Sequence, residues 1–436
     1  MLHRISALIA LAGVAGGALA GTGPDLTIGG IFAANSFGVV DGVRSFSFGT
    51  TLCNLGDAPV GYDASGPNHP VVIQNVYRSV DGRFEQVGMG WAFNTLIALQ
   101  TAACGPCTPA PGFGDLGAGC SDPHGSGVLG SQALLSRRTE VDPVTGLVVV
   151  PQAGIGDPGD AIFKRVQVRE SDLQVSGARF YIEVQCVSGD DAAAGNRGNN
   201  VSWREAEVTP SGLRIIGATQ GGEPAVFAWA DETGAMVSSI ELGDGSLLHV
   251  ASLATDNGDG TWSYEYVVHN QDSRRMASGF AVPFGGSTLT EVGFSDVDYH
   301  SGEPVDGTDW EGSEVGATFG WSVADASAAD ANTIRWGTAY SFRFVSDTAP
   351  VEDDVAVSLS DANGGIIVSD ARAVRPNYAC AADRAEPFGV VNFFDIAQYV
   401  NEYVAGEPIA DIAAPFGELN FFDVAAYIAE FNAGCP

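Results

Sequence analysis

Val71-Val72-Ile73-Gln74-Asn75-Val76-Tyr77-Arg78, then Asp81-Gly82, then Arg83-Phe84-Glu85-Gln86-Val87-Gly88 reads as two β-strands joined by a tight turn. β-Branched and aromatic residues suit a pleated surface, and Asp-Gly readily adopts the positive φ angles of a two-residue hairpin. The same pattern extends along the chain. Phe180 to Val187 is another strand, and Leu247 to Ala254 and Thr261 to His269 flank the turn Thr255–Gly260. Strands are also expected over 289–295, 333–346 and 354–360. Asp256 and Asp259 lack an acidic residue at the distance that closes a calcium loop, so a hairpin turn is expected there. With 57 glycines in 436 residues, short strands and tight turns are the expected theme. The expected fold is mainly β. Two antiparallel β-sandwich-like domains, a Cys-containing one over 21–224 and another over 225–375, precede a small helical module over 376–436.

The 20 Lys+Arg face 53 Asp+Glu, a net charge of −33, which excludes a basic nucleic-acid surface. Lys164 is the one lysine. His3-Arg4, the apolar run Ile5–Gly17 and Ala18-Leu19-Ala20 form a secretory signal peptide over 1–20. No later stretch reaches ~20 apolar residues, so no transmembrane segment is expected, and the placement is secreted, extracellular or cell-surface. Seven cysteines in an exported chain then suggest disulfides. Cys53, Cys104, Cys107, Cys120 and Cys186 leave one unpaired, and their connectivity stays open. Cys104-Gly-Pro-Cys107 matches a redox motif, but Thr108-Pro109-Ala110-Pro111-Gly112 cannot continue the helix that would stabilise a thiolate. A structural disulfide is expected instead, with a zinc site from Cys104, Cys107, Cys120 and His124 as the less favoured alternative.

Two polar stretches attract attention. Asp190-Asp191 with Asn196, Asn199 and Asn200 could offer oxygens to calcium, although an Asx-rich turn is favoured. Asp296, Asp298, His300, Glu303, Asp306, Asp309 and Glu311 are threaded with Gly and Pro on one inter-strand loop. A solvated acidic loop is the first reading. A second metal loop from Asp296, Asp298, Glu303, Asp306 and Asp309, or acid–base chemistry with His300, are the alternatives.

The C-terminus carries a duplication. Asp383-Arg-Ala-Glu-Pro-Phe-Gly-Val-Val-Asn-Phe-Phe-Asp395 recurs as Asp411-Ile-Ala-Ala-Pro-Phe-Gly-Glu-Leu-Asn-Phe-Phe-Asp423, 411 − 383 = 28 residues later. Ile396, Tyr399, Val400 and Tyr403, and again Val424, Tyr427, Ile428 and Phe431, keep helical spacing. Gly406 and Gly434 supply the terminating glycines. Units this small must pack on each other to bury their stripes.

This duplication resembles the dockerin family, an EF-hand-like fold, and more narrowly its GC-type subgroup, with Pro-Phe-Gly loops and a Gly434-Cys435 ending. The resemblance covers the chain from Cys380 onward. It implies a Cys380–Cys435 disulfide, calcium as cofactor, and a cohesin-like or other cell-envelope protein module as partner. The implied calcium ligands are Asp383, Asn392, Asp395, Asp411, Asn420 and Asp423, and the implied partner-binding residues are Phe393, Phe394, Phe421 and Phe422. The loops depart from the family pattern. Ala385, Pro387, Ala413 and Pro415 stand where side-chain oxygens are required, so calcium binding would be weak at best. Asn392 and Asn420 are natural N-caps, with Asp395 and Asp423 at N3. Phe388 and Phe416 are candidates to plug the loops, and at least one phenylalanine of each docking pair is expected in the core.

The function expected is a non-catalytic, exported β-rich protein anchored to an extracellular or cell-surface assembly through this module. No catalytic residues are assigned, since neither Gly-x-Ser-x-Gly nor His-Glu-x-x-His occurs. The alternatives are a secreted glycan-active hydrolase with the same anchor, and a polysaccharide-binding protein using exposed tryptophans.

Overall fold

The computed structural model describes residues 22–285, 287–299, 302–377, 382–385, 391–414 and 417–434. The signal segment, His300, Cys380, Cys435, Phe388 and Phe416 lie outside the described residues.

The quoted hairpin forms as read, with strands at Val71–Val80 and Arg83–Met89. Its turn has φ of 50° at Asp81 and 81° at Gly82. The hairpin sits inside one twelve-stranded antiparallel sheet. The main path of that sheet runs from Leu26–Val40 through Val43–Asn54, Val166–Arg169, Arg83–Met89, Val71–Val80, Arg179–Val187 and Val201–Thr209 to Gly212–Ile215. The first half is therefore built on one large sheet, with a two-stranded ribbon of Val60–Gly61 and Asp115–Leu116 beside it. Its two ends approach each other: Arg204 donates to the Ile31 carbonyl at 2.5 Å, and Ile31 N–H donates to Thr219 Oγ1 at 3.0 Å. Phe46, Phe48, Leu52, Val76, Ile182 and Val184 fill the interior of this curled sheet.

The second half is the expected sandwich. One five-stranded sheet contains Met236–Glu241, Leu247–Asp256, Trp262–Asn270, Thr338–Ser346 and Leu289–Ser295. The other contains Glu311–Val315, Thr318–Ser322, Met276–Pro283, Pro350–Ser360 and Ile366–Pro376. Tyr264, Tyr266, Phe280, Trp321, Phe342 and Phe344 interdigitate between them. Asp256 and Asp259 cap their own hairpin turn, accepting from Gly258 N–H and Thr261 N–H.

The two halves share a buried seam. Helix α1 (Val226–Thr233) immediately follows the expected boundary at 224/225. It packs Val226 and Trp229 against Tyr77, Phe84 and Tyr181 of the first sheet and Ala251 and Val267 of the second half. At its start Ala225 N–H donates to Glu183 Oε2 at 2.8 Å, while Glu183 Oε1 accepts from Asn75 and Tyr77. Arg138, also buried, donates to the carbonyls of Gly90, Gln74 and Gly337. The chain at 224/225 thus lies within a buried contact between the two halves.

Cross-links stitch the loop-rich stretch of the first half. Cys53 bonds Cys104 and Cys107 bonds Cys120, so the two cysteines of Cys104-Gly-Pro-Cys107 belong to different bridges. That pairing removes both the dithiol and the zinc alternative. Closing loops of 51 and 13 residues contributes roughly 4 and 3 kcal/mol in the chain-entropy model. Cys186 is the unpaired fifth cysteine and is buried. Lys164 is also buried, its ammonium donating to the carbonyls of Gln132, Gly154 and Asp157 beside the Trp91 ring.

Two outcomes follow for the β body. Unfolding without reductant should expose one alkylatable thiol among Cys53 to Cys186, namely Cys186; two or more labelled positions would contradict the pairing. The second outcome concerns pH. Burial raises Asp191 and Glu265 to about 7 and Asp272 and Asp296 to about 6, against partial compensation by hydrogen bonds and arginines. The native state then holds protons that the unfolded chain, with carboxyls near 4, releases, so stability falls as pH rises from about 4 to 7. Burial, reinforced by His269, lowers His249 to about 4 and acts in the opposite direction up to about pH 6.5. Four groups outweigh one, so the melting temperature of the β body should fall from pH 5 to pH 8 in calorimetry. A rise would contradict the burial of these carboxyls.

Candidate docking surface

The duplicated C-terminal segment forms two helices of equal length, α2 (Phe393–Ala405) and α3 (Phe421–Ala433). Each begins in the same way. Asn392 and Asn420 adopt extended N-cap backbones, and their side chains accept from Phe394 N–H and Phe422 N–H at 2.8 Å. Asp395 and Asp423 reach back to the Asn392 and Asn420 amides at 2.7 Å, completing a capping box in each helix.

The core of this module is small and its own. Tyr399 and Tyr427 are 2% and 3% exposed, as their helical spacing implies, and their rings stack at 3.8 Å with 3° between planes. Ala382, Ala410, Ile396, Val424, Tyr403 and Phe431 surround them. The arrangement is reciprocal. Burial first, and then the Asp423 carboxylate, raises the Tyr399 phenol to about 12; burial and then Asp395 do the same for Tyr427. Each tyrosine therefore lies near the N-terminus of the opposite helix. One contact breaks the symmetry. Arg384 pairs with Glu402 at 2.9 Å and donates to the Ile409 carbonyl, whereas Ile412 occupies the matching place in the second repeat.

All four phenylalanines of the first helical turns face outward. Phe393, Phe394, Phe421 and Phe422 are 73%, 62%, 76% and 61% exposed. The expectation that one of each pair enters the core is therefore corrected: the tyrosine pair and small residues already fill the interior. Val400 and Ile428 are also about half exposed, and they line a groove of about 370 Å³ between the helices with Ile396, Val424, Tyr403 and Phe431. Together these residues form a contiguous exposed aromatic and aliphatic face on a small module.

Four of the six implied calcium ligands, Asn392, Asp395, Asn420 and Asp423, are hydrogen-bonded to backbone amides. Asp395 Oδ1 accepts from the amides of Arg384 and Ala385 at 2.7 Å, and Asp423 Oδ1 accepts from Ile412 and Ala413 at 2.9 Å. With the capping-box bonds, each carboxylate holds three backbone amides. Asp411 Oδ2 accepts from Gly417 N–H. Among the described residues no group of three His, Cys, Asp or Glu is placed to hold a metal ion. The Cys380–Cys435 pairing lies outside the described residues.

The second acidic loop is dispersed. Asp296 accepts from Asn332, Asp298 pairs with Arg169 at 2.6 Å, and Asp306 caps its own turn at Thr308. Asp298 and Asp309 remain near enough to add to the burial that raises Asp296. Glu303 instead faces a recess of about 610 Å³ at the seam, shared with Arg138, Glu140, Arg335 and Trp336. Both Glu303 oxygens are buried there, and burial raises its carboxyl against the pull of Arg138. Asp190 and Asp191 stitch the first sheet, Asp190 to Gly61 and Asn68 and Asp191 to Leu26 and Asn200. Six of the seven tryptophans are buried and Trp262 is half-buried, so no flat tryptophan strip exists for a polysaccharide.

No family model and no curated protein matches this chain. Among solved structures, an exo-chitosanase from Amycolatopsis orientalis is 9% identical over 74% of this chain and 25% of that chain, at a TM-score of 0.15. The BSP domain of a biofilm associated protein is 9% identical over 85% and 62% of the two chains, at 0.16, and the B domain of such a protein is 9% identical over 82% and 86%, at 0.15. This chain thus spans about a quarter of the exo-chitosanase's length. Scores this low carry no argument about fold or activity.

Truncating the central stack tests the module's packing. Tyr399→Ala or Tyr427→Ala should each cost about 3–5 kcal/mol of module stability, as for other large buried aromatics. Denaturant melts followed by helical circular dichroism would check it. A loss below about 1 kcal/mol, the scale of a surface change, would mean that the stack does not hold the helices together.

Proposed function

We propose that this chain is an exported, β-rich, non-catalytic protein held on an extracellular or cell-surface assembly by its C-terminal dockerin-like module. The observation that carries the proposal is the exposure of Phe393, Phe394, Phe421 and Phe422 at matching places on two near-equivalent helices. An isolated protein gains nothing from four exposed aromatic rings, whereas a partner groove that desolvates them gains most of its affinity there. The two disulfides support placement outside the cytoplasm.

Charge narrows the partner. From residue 377 onward the chain holds nine acidic residues (Asp383, Glu386, Asp395, Glu402, Glu407, Asp411, Glu418, Asp423, Glu430) and one basic residue, Arg384. The partner is therefore a cohesin-like or other cell-envelope protein module with an apolar centre and a basic rim.

Capture of cell-envelope proteins on the immobilised full-length chain tests the proposal. The wild type should retain one saturable protein partner. Replacing all four phenylalanines with serine should weaken its retention at least about tenfold, the loss expected when hot-spot aromatics are removed, without lowering the melting temperature. Retention unchanged by the quadruple substitution would overturn the docking role.

A further inference from the structure

The family resemblance implies a calcium ion between each loop and its helix, and the donor groups here do not fit one. We propose that the closing aspartate of each repeat replaces the metal: Asp395 and Asp423 tie loop to helix through backbone amides, so the module folds and presents its phenylalanines without a divalent cation. That the presented rings dock rests on the preceding proposal; the carboxylate tie does not, because it involves this chain alone.

A carboxylate offers about four lone-pair sites, and a calcium ion closed by a bidentate acid needs both oxygens. In the first repeat Asp395 spends three sites on the amides of Arg384, Ala385 and Asn392. In the second, Asp423 spends three on Ile412, Ala413 and Asn420. The loop residues differ between repeats, yet the geometry is the same, which shows that the tie follows from backbone and carboxylate rather than from one loop sequence. Of the remaining implied ligands, Asp411 accepts from Gly417 N–H through Oδ2 alone, its Oδ1 being buried without a hydrogen bond. Asn392 and Asn420 cap their helices, and Ala385 and Ala413 bring no oxygen where a ligand would stand. Binding calcium would require breaking bonds from amides to a charged acceptor, which are about twice as strong as neutral ones.

The positions of these bonds matter for presentation. Asn392 and Asp395 bracket Phe393 and Phe394, and Asn420 and Asp423 bracket Phe421 and Phe422. The carboxylate is a positioning residue: it fixes the first helical turn and hence the direction in which the rings project. With the helix set by the tie and the interior filled by the tyrosine stack, neither the fold nor the exposed rings calls on a metal.

Amide hydrogen exchange on the full-length protein tests this without a partner. Protection at Ala385, Phe394, Ala413 and Phe422 should be the same in EDTA and in millimolar calcium. Asp395→Asn should lower protection in the first repeat by about fivefold, the scale of one lost cap, and leave the second repeat unchanged. Asp395→Glu separates the two accounts. Glutamate is a normal closing ligand for calcium but is one methylene too long for the amide geometry, so protection should fall and calcium should not restore it. Protection that rises several-fold with calcium in the wild type, or that calcium restores in Asp395→Glu, would overturn the proposal. So would exchange unaltered by either substitution.

Discussion

The face-to-face contact of Tyr399 with Tyr427 is what the C-terminal module depends on. A loop and a three-turn helix cannot bury an apolar stripe alone, and isolated helices of this length are marginal in water. Two copies can bury a stripe if each supplies one large flat side chain to a shared centre. The 28-residue duplication does this, and the reciprocal placement of Asp395 and Asp423 near the opposite tyrosine follows from the resulting near two-fold arrangement. Once two tyrosines and a ring of small and branched residues occupy the centre, the phenylalanines of the first helical turns have no interior left to enter. Their exposure is a consequence of how little core a module of this size can build.

The β body meets the opposite constraint. Its two halves bury polar groups at their seam, and several of them pair across it. Glu183 exemplifies this. Burial pushes its carboxyl up, but His269, Ala225 N–H and Asn75 more than compensate and hold it below its ordinary value. Gln86 accepting from Ala339 N–H, Ser341 donating to the Phe84 carbonyl and Asn75 donating to the Gly337 carbonyl continue the same stitching.

Much of this was legible in the chain itself, for identifiable reasons. The hairpins at 71–88 and 247–269 were readable because β-branched runs and Asp/Asn-Gly turns are local signals. The capping residues Asn392, Asp395, Asn420 and Asp423 were readable because an N-cap and its N3 acid lie three residues apart. What was hidden depends on distant pairing. That the first half is built on one large curled sheet, that helix α1 packs against both halves, and that the two cysteines of Cys104-Gly-Pro-Cys107 bond elsewhere are all long-range facts with no local signature. The outward turn of Phe393, Phe394, Phe421 and Phe422 was misread because hydrophobicity alone ranks phenylalanine above tyrosine for burial. Here the helical stripe Asp395, Tyr399, Glu402 faces inward, and residues at the first two helical positions fall outside it.

Hydroxyl-radical footprinting of the full-length protein, free and bound to the cell envelope, tests the central claim most directly. The account requires Phe393, Phe394, Phe421 and Phe422 to be oxidised readily in the free protein and protected in the bound one, while Tyr399 and Tyr427 stay protected in both. Phenylalanines shielded in the free protein, or equally oxidised in both states, would contradict it.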